Sequence, residues 1–339
     1  MNVVELDYEL PDDLIAQQPA DRRDAARLLV VDRATGKLHC DVYSNIASYL
    51  RAGDCMVVNE TRVIRARLHA ARPSGGKAEI FLLHEIAPGE WEALVKPSAK
   101  ILPGTTLRIG PVRATVGDRI GSGRRRVVFN KPDVLKILEQ SGEVPLPPYI
   151  QRDKSDPSDA ERYQTIYAQS PGSVAAPTAG LHFTEDVFRS LDAKGVKRAT
   201  ITLHVGYGTF SPIRTDRVED HVLEPESFMV PQATADIVNA TRAAGGRIVA
   251  VGTTTTRVLE SQGRDGVLFA GEGETAHFIY PPYAFSMVDA LQTNFHLPRS
   301  SLLALVHAFA GSNLARKAYR KAIAERFRFY SYGDVMLIL

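Results

Sequence analysis

Hydrophobic and polar positions in the first sixty residues predict strands and one short helix. The apolar runs LLVVDR (28–33) and LHCDVY (38–43) flank Ala34-Thr35-Gly36, a pattern typical of a β-hairpin. The stretch SNIASYLRAGD (44–54) begins with serine, a helix-capping residue, and has a glycine near its end, so it predicts a short helix. An apolar strand, CMVVN (55–59), follows directly.

The pattern changes over residues 66–130, where short alternating runs of apolar and polar residues follow one another. Turns that contain glycine (PSGG, APGE, LPGT and GSG) separate these runs, with no helical pattern between them. Short strands at near-regular spacing are typical of a small barrel or sandwich. We therefore predict an all-β domain here, inserted into a chain that otherwise mixes helices and strands.

Helices return after Pro132 and then alternate with strands. An amphipathic helix is predicted over 133–142, followed by the extended, proline-rich PLPPYI. Helices are then predicted over 185–195, 232–246, 255–261, 300–311 and 313–329, and strands over 196–206 and 247–252. This alternation indicates a mostly parallel sheet with helices on both faces. We predict an α/β domain of residues 1–65 and 131–339, interrupted by a β-barrel domain of residues 66–130.

Composition and charge fit an ordinary globular protein. The 339 residues are 44% hydrophobic and 24% charged, enough for a sizeable core and for two domains. A formal net charge of +2 argues against a general polyanion binder but allows local basic patches.

The cysteines and the N-terminus bear on location. Cys40 and Cys55 have neither CxxC spacing nor the neighbours of a zinc site, which fits a reducing cytoplasm. The acidic N-terminus lacks the features of a signal peptide, and no apolar run is long enough to span a membrane. We expect a cytoplasmic protein that does not bind membranes.

Segments rich in glycine, threonine and proline carry the candidate chemistry. They are SVAAPTAGLHFT (173–184), LHVGYGTF (203–210), VGTTTTRVLE (251–260) and TNFHLPRSS (293–301). Two of them directly follow predicted strands, and ligands of parallel α/β sheets bind beyond the carboxyl ends of strands. We therefore expect these segments to meet at one edge of the sheet. The small residues of the first segment suggest close approach of a ligand near His182.

Two of these segments allow two interpretations each. The helix predicted after Gly252 can bind a carboxylate or phosphate with its free N–H groups, or one threonine can simply cap it. Similarly, Gly206 and Gly208 permit close approach of a ligand, or they mark a bulged strand end beside His204. VGTTTTRVLE is not a Walker loop, because the GxxxxGK[ST] pattern is absent.

Histidines and basic residues add further candidates. His182, His204, His221 and His296 show no metal-binding spacing, so an acid–base role without a metal is favoured. Arginines flank the β domain, and the last predicted helix mixes basic and aromatic residues. Such mixtures bind phosphates and unpaired bases. For the last helix alone, a solvated helix with its aromatics in the core is the favoured interpretation.

Several long segments resemble the S-adenosylmethionine:tRNA ribosyltransferase-isomerase family of queuosine biosynthesis. They extend from residue 7 to the C-terminus and include VVNETRVIRARL, PLPPYIQR, RYQTIYA, SVAAPTAGLHFT, ITLHVGYGTF, VGTTTTRVLES, TNFHLPRSSLLALVHAFAG and ERFRFYSYGDVMLIL. Residues 66–130 match weakly. The resemblance implies an α/β domain interrupted by a β-barrel.

The resemblance also implies a reaction. S-adenosylmethionine donates its ribosyl group to the aminomethyl nitrogen of 7-aminomethyl-7-deazaguanine at the tRNA wobble position, giving epoxyqueuosine, adenine and methionine. A base removes a C5′ proton, adenine leaves, the amine attacks, and a ribose oxygen closes the epoxide as methionine departs. The implied partners are S-adenosylmethionine, as co-substrate, and the tRNA anticodon stem-loop. We expect a monomer with no metal and no other cofactor.

Site residues are assigned against this reaction. The candidate bases are His182, His204 and, third, His296. The candidate S-adenosylmethionine-binding residues, with the methionine carboxylate on the predicted helix start, are Thr178, Gly206, Gly208, Thr253, Thr254, Thr255, Arg257 and Asn294. The candidate contacts to tRNA or to its modified base are Tyr149, Arg152, Tyr163, Arg62 and Arg326.

One position departs from the family pattern. Relatives commonly carry HxMHxE where this chain reads HVLEPE (221–226), so Glu224 stands in place of the second histidine. Either Glu224 takes over that role or the activity has changed. The alternative function is therefore a catalytically silent tRNA-binding protein on the same scaffold. A nucleotide hydrolase or phosphotransferase is disfavoured, because the Walker lysine and a carboxylate metal set are missing.

Overall fold

The computed structural model describes residues 1–121, 123–151, 156, 158–210 and 212–339. The strands in these residues are β1 (Arg27–Val31), β2 (Leu38–Val42), β3 (Cys55–Asn59), β4 (Thr61–Val63), β5 (Arg67–Ala71), β6 (Lys77–Ala87), β7 (Glu90–Lys96), β8 (Thr106–Ile109), β9 (Val112–Ile120), β10 (Arg124–Phe129), β11 (Gly142–Glu143), β12 (Ser170–Ser173), β13 (Lys197–Leu203), β14 (Glu226–Val230), β15 (Ile248–Val251), β16 (Gly263–Arg264), β17 (Val267–Leu268), β18 (Gly271–Thr275), β19 (Ala290–Asn294) and β20 (Val335–Ile338).

The α-helices in the same residues are α1 (Val134–Ser141), α2 (Asp159–Arg162), α3 (Glu185–Ala193), α4 (Gln232–Ala243), α5 (Thr253–Gln262), α6 (Ser301–Ala310) and α7 (Ser312–Ala324). Short 3₁₀ helices include Arg23–Ala25, Tyr43–Tyr49, Thr178–His182 and Tyr207–Phe210. Within the residues described, no helix is long and apolar enough to cross a membrane.

The larger sheet has the strand order β18-β14-β13-β3-β15-β19-β20-β1-β2. Strands β13, β3, β15 and β19 run parallel at its centre, and β20 is parallel to β1. The other neighbouring pairs are antiparallel. The prediction of an α/β sheet is therefore confirmed, with its parallel part concentrated at the centre.

Alternate residues of the central strands pack on opposite faces of this sheet. Cys55 and Val57 belong to a core that contains residues of α4, α5, α6 and α7. Met56 and Val58 belong to a second core, which includes α3 and the 3₁₀ helix Tyr43–Tyr49. Since both faces are covered, β3 is apolar from Cys55 to Val58 without alternation, as expected of a buried parallel strand.

The smaller sheet is the inserted barrel. Strands β5, β6, β7, β10, β9 and β8 follow one another antiparallel, and pairing of Ala71 in β5 with Arg108 in β8 closes the ring. Its core also contains Val134, Ile137 and Leu138 of α1. The predicted barrel is confirmed, and α1 packs on it although its residues lie beyond the predicted boundary at residue 130.

The C-terminal region differs from the prediction of one long helix over 313–329. Helix α7 ends at Ala324, and Arg326 has a φ of 56°, a conformation that ends the helix. The chain then buries Phe327 and Phe329 and continues into β20, which lies between β19 and β1. The apolar run VMLI (335–338) therefore forms an interior strand where no element was predicted.

The barrel core yields a first prediction. Ile80 is fully buried in β6, so Ile80→Ala should lower the free energy of unfolding by about 2–5 kcal/mol because a cavity is left. Urea unfolding followed by the fluorescence of Trp91, which is the single tryptophan and lies in the same core, measures this change. Leu102, at 67% exposure, is the matched control, and Leu102→Ala should change stability by less than about 0.5 kcal/mol. Equal effects of the two substitutions would contradict the assigned core.

Candidate active site

A cavity lies at the carboxyl ends of β15 and β19, and all four glycine- and threonine-rich segments contribute to it. Its lining comprises Tyr149, 176–179, Val205, Thr209, 252–254, 293–297, Ser300, Leu302, Tyr330 and Ser331. The edge of the sheet where parallel strands end is the usual ligand site of α/β folds. The segments that were expected to meet do so here.

The start of α5 opens into this cavity. Gly252 precedes the helix with a φ of 93°, a conformation that glycine adopts without strain. No side chain caps the helix, and within the described residues the backbone N–H groups of Thr253, Thr254 and Thr255 have no hydrogen-bond acceptor. The Thr255 hydroxyl donates instead to the Val251 carbonyl at 2.8 Å. Three unpaired N–H groups at a helix start attract an anion, so the ligand-binding interpretation fits better than the capping one.

Asn294 and Thr178 form a fixed polar pair on the cavity wall. The Thr178 hydroxyl donates to Asn294 Oδ1 at 2.9 Å, and Asn294 Nδ2 lies 3.2 Å from His182 Nε2. His182 is buried behind this pair and does not belong to the described lining. Burial, with smaller contributions from Arg328 and Arg23, lowers the pKa of His182 to about 3. The neutral ring therefore accepts a hydrogen bond from Asn294 and orients its amide.

The two other candidate bases, His296 and His204, differ in whether they line the cavity. His296 lines the cavity, its Nε2 lies 2.7 Å from Thr293 Oγ1, and burial lowers its pKa to about 3. His204 Nδ1 contacts Thr61 Oγ1 at 2.8 Å, and burial lowers the pKa of His204. His204 packs on Gly172, where a Cβ would lie 2.8 Å from the ring. Of the candidate bases, His296 is the one that the described cavity lining contains.

Gly180 has a packing role. A Cβ at this position would lie 2.0 Å from the Tyr167 hydroxyl, so glycine is needed to admit that tyrosine. The close approach that was expected at SVAAPTAGLHFT is therefore made by the protein itself at Gly180. The cavity is reached by the earlier part of the segment, residues 176–179.

A buried ion pair holds the glycine loop against α5. Glu226 Oε1 accepts hydrogen bonds from the Gly206 N–H at 2.8 Å and from the Thr209 hydroxyl at 2.5 Å. Its other oxygen pairs with Arg257, which also donates to the carbonyls of His277 at 2.9 Å and Thr275 at 3.1 Å. The Arg257 guanidinium is thus engaged within the protein, and its predicted contact with a ligand carboxylate stays a prediction.

Glu224 lies at a smaller pocket that also includes Gly206, Gly208 and Arg257 and that adjoins the cavity through Thr209 and Leu302. The exposed Glu224 carboxylate pairs with Arg124 of β10 in the barrel. Arg124 Nη1 also lies 2.9 Å from Glu92 of β7. The residue that departs from the family pattern therefore connects the α/β domain to the barrel.

The candidate tRNA contacts are scattered. Tyr149 lines the cavity, with its ring 4.3 Å from that of Tyr330 and its hydroxyl bonded to Ser331. Tyr163 is fully buried against Tyr332. Arg62 is exposed on β4, and Arg326 is exposed and pairs with Asp13 at 2.5 Å. Arg152 lies outside the described residues.

Residues of the C-terminal segment were missed as site residues. Tyr330 and Ser331 line the cavity, and Tyr330 has a φ of 72°, unusual for a residue other than glycine. The segment ERFRFYSYGDVMLIL is part of the family resemblance, but no local pattern in it indicates a ligand. In the described part of the chain, no cluster of three or more His, Cys, Asp or Glu side chains is arranged to hold a metal.

The fold and the site together define an α/β protein with an uncapped helix start and a polar Asn–Thr pair in one cavity. Comparisons with known proteins name the family. A family model described as "Queuosine biosynthesis protein" matches residues 3–338. The S-adenosylmethionine:tRNA ribosyltransferase-isomerase of Geobacter metallireducens is 50% identical over 343 residues, with complete coverage of both chains. That of Rubrobacter xylanophilus is 50% identical over 340 residues, covering 100% of this chain and 98% of the relative.

A solved structure agrees with these sequence matches. The crystal structure of S-adenosylmethionine tRNA ribosyltransferase from Thermotoga maritima superposes with a TM-score of 0.58 at 39% identity, covering 99% of this chain and 100% of that one. The chain therefore belongs to the queuosine-biosynthesis family of S-adenosylmethionine:tRNA ribosyltransferase-isomerases, a family of transferases. The family resemblance read from the sequence is confirmed.

The buried ion pair yields the next prediction. Glu226→Ala leaves the Arg257 charge buried without its partner, so the free energy of unfolding should fall by about 3–5 kcal/mol. Chemical unfolding measures the loss. The double variant Glu226→Gln/Arg257→Met removes both charges and should be less destabilised than Glu226→Ala alone. A double variant that is less stable than the single one would show that the pair is not the main constraint.

The buried His182 yields a prediction about pH. Its pKa is about 3 in the folded protein and near 6.5 in the unfolded chain, so the unfolded chain takes up the proton first. The stability that the neutral ring contributes is present above pH 6.5 and is lost as pH falls towards 3, at about 1.4 kcal/mol per pH unit. His182→Gln should reduce the slope of the unfolding free energy against pH between pH 6 and pH 4, by up to the amount that corresponds to one proton. Urea unfolding at several pH values measures this slope. Equal slopes for variant and wild type would overturn the assignment of a neutral, buried His182.

Proposed function

We propose that this chain transfers and isomerises the ribosyl group of S-adenosylmethionine onto 7-aminomethyl-7-deazaguanine at the tRNA wobble position. The products are epoxyqueuosine in tRNA, adenine and methionine. The observation that carries the proposal is the cavity, where an uncapped helix start and a fixed Asn294–Thr178 pair face one space. The names of the relatives supply the donor and the acceptor class.

The cavity offers different chemistry for different parts of S-adenosylmethionine. In this proposal the methionine carboxylate binds the N–H groups of Thr253, Thr254 and Thr255, because these donors have no acceptor within the described residues. The ribose or adenine binds Asn294 and Thr178, whose side chains line the same wall. Gly206 and Gly208 belong to the adjoining pocket, so they act on the ligand through the shape of the loop.

We assign the C5′ base to His296. It lines the cavity, whereas His182 is buried behind Asn294 and His204 packs on Thr61 and Gly172. Burial lowers the pKa of His296 to about 3, so the ring is neutral and can accept a proton, but a pKa this far below the working pH makes it a weak base. When Thr293 accepts a hydrogen bond from Nε2–H, the Nδ1 lone pair is left for proton abstraction. His182 then positions Asn294.

The remaining expectations belong to the same proposal. The α/β domain consists of residues 1–65 and 131–339, and the barrel consists of residues 66–130. The protein is a cytoplasmic monomer that binds S-adenosylmethionine and a tRNA anticodon stem-loop and needs no metal or further cofactor. Tyr149 contacts the modified base, because its ring lies at the cavity.

Release of adenine tests the function. Purified protein is incubated with S-adenosylmethionine and an anticodon stem-loop that carries 7-aminomethyl-7-deazaguanine, and adenine is measured by chromatography. We expect adenine that depends on the RNA. His296→Gln should lower kcat by about 10²–10⁴-fold with a smaller change in KM, since general-base catalysis contributes this much. His204→Gln, changed in the same way outside the cavity, should retain more activity than His296→Gln.

The same experiment distinguishes the alternative function. A protein that binds the stem-loop but releases no adenine would be a silent tRNA-binding protein. Glu224→His restores the family residue, and recovered adenine release in that variant would assign the loss to position 224. Activity of His296→Gln equal to that of the wild type would remove His296 from the role of base.

A further inference from the structure

A separate small pocket lies behind the cavity wall, on the side of His182. Arg23, Arg162 and Arg328 line it together with His182, and Ser331 borders both this pocket and the cavity. Within the described residues its lining contains no Asp or Glu side chain. The three arginines come from distant parts of the chain, so the fold brings them together.

Two of these arginines are held by backbone carbonyls and not by carboxylates. Arg23 donates to the carbonyls of Gln164 at 2.8 Å, Leu181 at 3.1 Å and Glu161 at 2.9 Å. Arg162 donates to the carbonyls of Ala20 and Asp21. In the part of the chain that the structure describes, neither arginine forms an ion pair with a side chain. Carbonyls orient a guanidinium but leave its charge unneutralised.

Arg162 also has an unused donor. Its Nε is shielded from solvent and has no hydrogen-bond partner among the described residues. A buried donor without an acceptor is costly, and a bound group that supplies an oxygen offsets this cost. Arg328 is half-buried and differs from the other two arginines, because its Nε forms a loose ion pair with Asp334 at 3.8 Å and its Nη1 donates to the Gln18 carbonyl at 3.4 Å.

The positive charges around the pocket repel one another. Burial and then the charge of Arg162 lower the pKa of Arg23. After burial, Arg328 is the largest cause that lowers the pKa of His182. Like charges at a partly desolvated site repel each other strongly, and an anion between them reverses the sign of this interaction.

We propose that this pocket binds a backbone phosphate of the tRNA substrate. A guanidinium group can donate two parallel hydrogen bonds to the oxygens of a phosphate. Three arginines around one pocket therefore fit a phosphate better than a neutral group. A nucleotide whose base enters the cavity carries its phosphates nearby, and Ser331 is shared between the two spaces. The inference rests on the proposed function, because that function supplies the RNA.

The carboxylate of S-adenosylmethionine is the other anion available to the protein. It already has a site inside the cavity at the start of α5, which the Asn294–His182 contact separates from the arginine pocket. The phosphate is therefore the anion that this pocket is left to bind.

Salt dependence of RNA binding tests the proposal. The dissociation constant of the modified anticodon stem-loop is measured at several salt concentrations for wild type and for Arg162→Gln. Losing one phosphate contact should reduce the slope of log K against log salt by about 0.7–0.9 and weaken binding several-fold at low salt. Arg189→Gln is the matched control, since Arg189 is exposed on α3 and pairs with Asp186, and its slope should equal that of the wild type. Thermal unfolding confirms that each variant is folded, and Arg328→Gln replaces Arg162→Gln if the latter is not.

The outcomes separate this inference from the proposed function. If the wild type releases adenine but the folded arginine variant has an unchanged salt slope, the phosphate site is overturned. The proposed function is then unaffected. If that variant binds S-adenosylmethionine more weakly but has an unchanged salt slope for RNA, the pocket binds the carboxylate of S-adenosylmethionine. This result would also overturn the phosphate site. Wild type that neither binds the stem-loop nor releases adenine would contradict the proposed function itself.

Discussion

The buried pair of Glu226 and Arg257 is the interaction on which the geometry of the site depends. It joins an antiparallel strand added to the sheet, β14, to the helix whose start opens into the cavity, α5. The same carboxylate also accepts hydrogen bonds from Gly206 and Thr209. A charged pair in an apolar environment is a poor source of stability compared with hydrophobic packing of similar volume. Its contribution here is positional, because it holds loop, strand and helix in one arrangement around the cavity.

The second constraint is the line of contacts from Thr178 through Asn294 to His182. Asn294 has both ends of its amide occupied, so its orientation is determined before a ligand binds. Preorganised polar groups avoid the cost of reorientation when charge develops in a reaction. The neutral charge of the buried histidines suits a cavity that receives a cation in the proposed function. The donor in that function is a sulfonium cation, and charged imidazolium rings beside it would oppose binding, whereas burial keeps His182 and His296 uncharged.

The sequence predicted the elements that rest on local pattern. The hairpin around residue 35, the barrel strands and the helix after Gly252 follow from turn residues, alternation and helix-start chemistry, and all are present. Strand β20 was not predicted, because a four-residue apolar run is too short for its period to indicate a strand. The meeting of the four segments was predicted from the rule that parallel strands end at one edge. Which histidine faces the cavity was not predictable, since that depends on distant contacts such as Gly172 against His204.

The positive charge around the cavity differs between its two sides. On one side, the N–H groups of α5 present partial positive charge without a full cation, which suits the carboxylate that in the proposed function must later leave with methionine. Behind the wall, three arginines present full charges that suit a permanently ionised phosphate. A full positive charge inside the cavity itself would repel the sulfonium, and the buried Asn294–His182 layer keeps the guanidinium groups out of the cavity. In the proposed function the fold thereby separates a positively charged pocket for a polyanion from a nearly neutral space for a cationic donor, a separation that neither the net charge of +2 nor any single motif reveals.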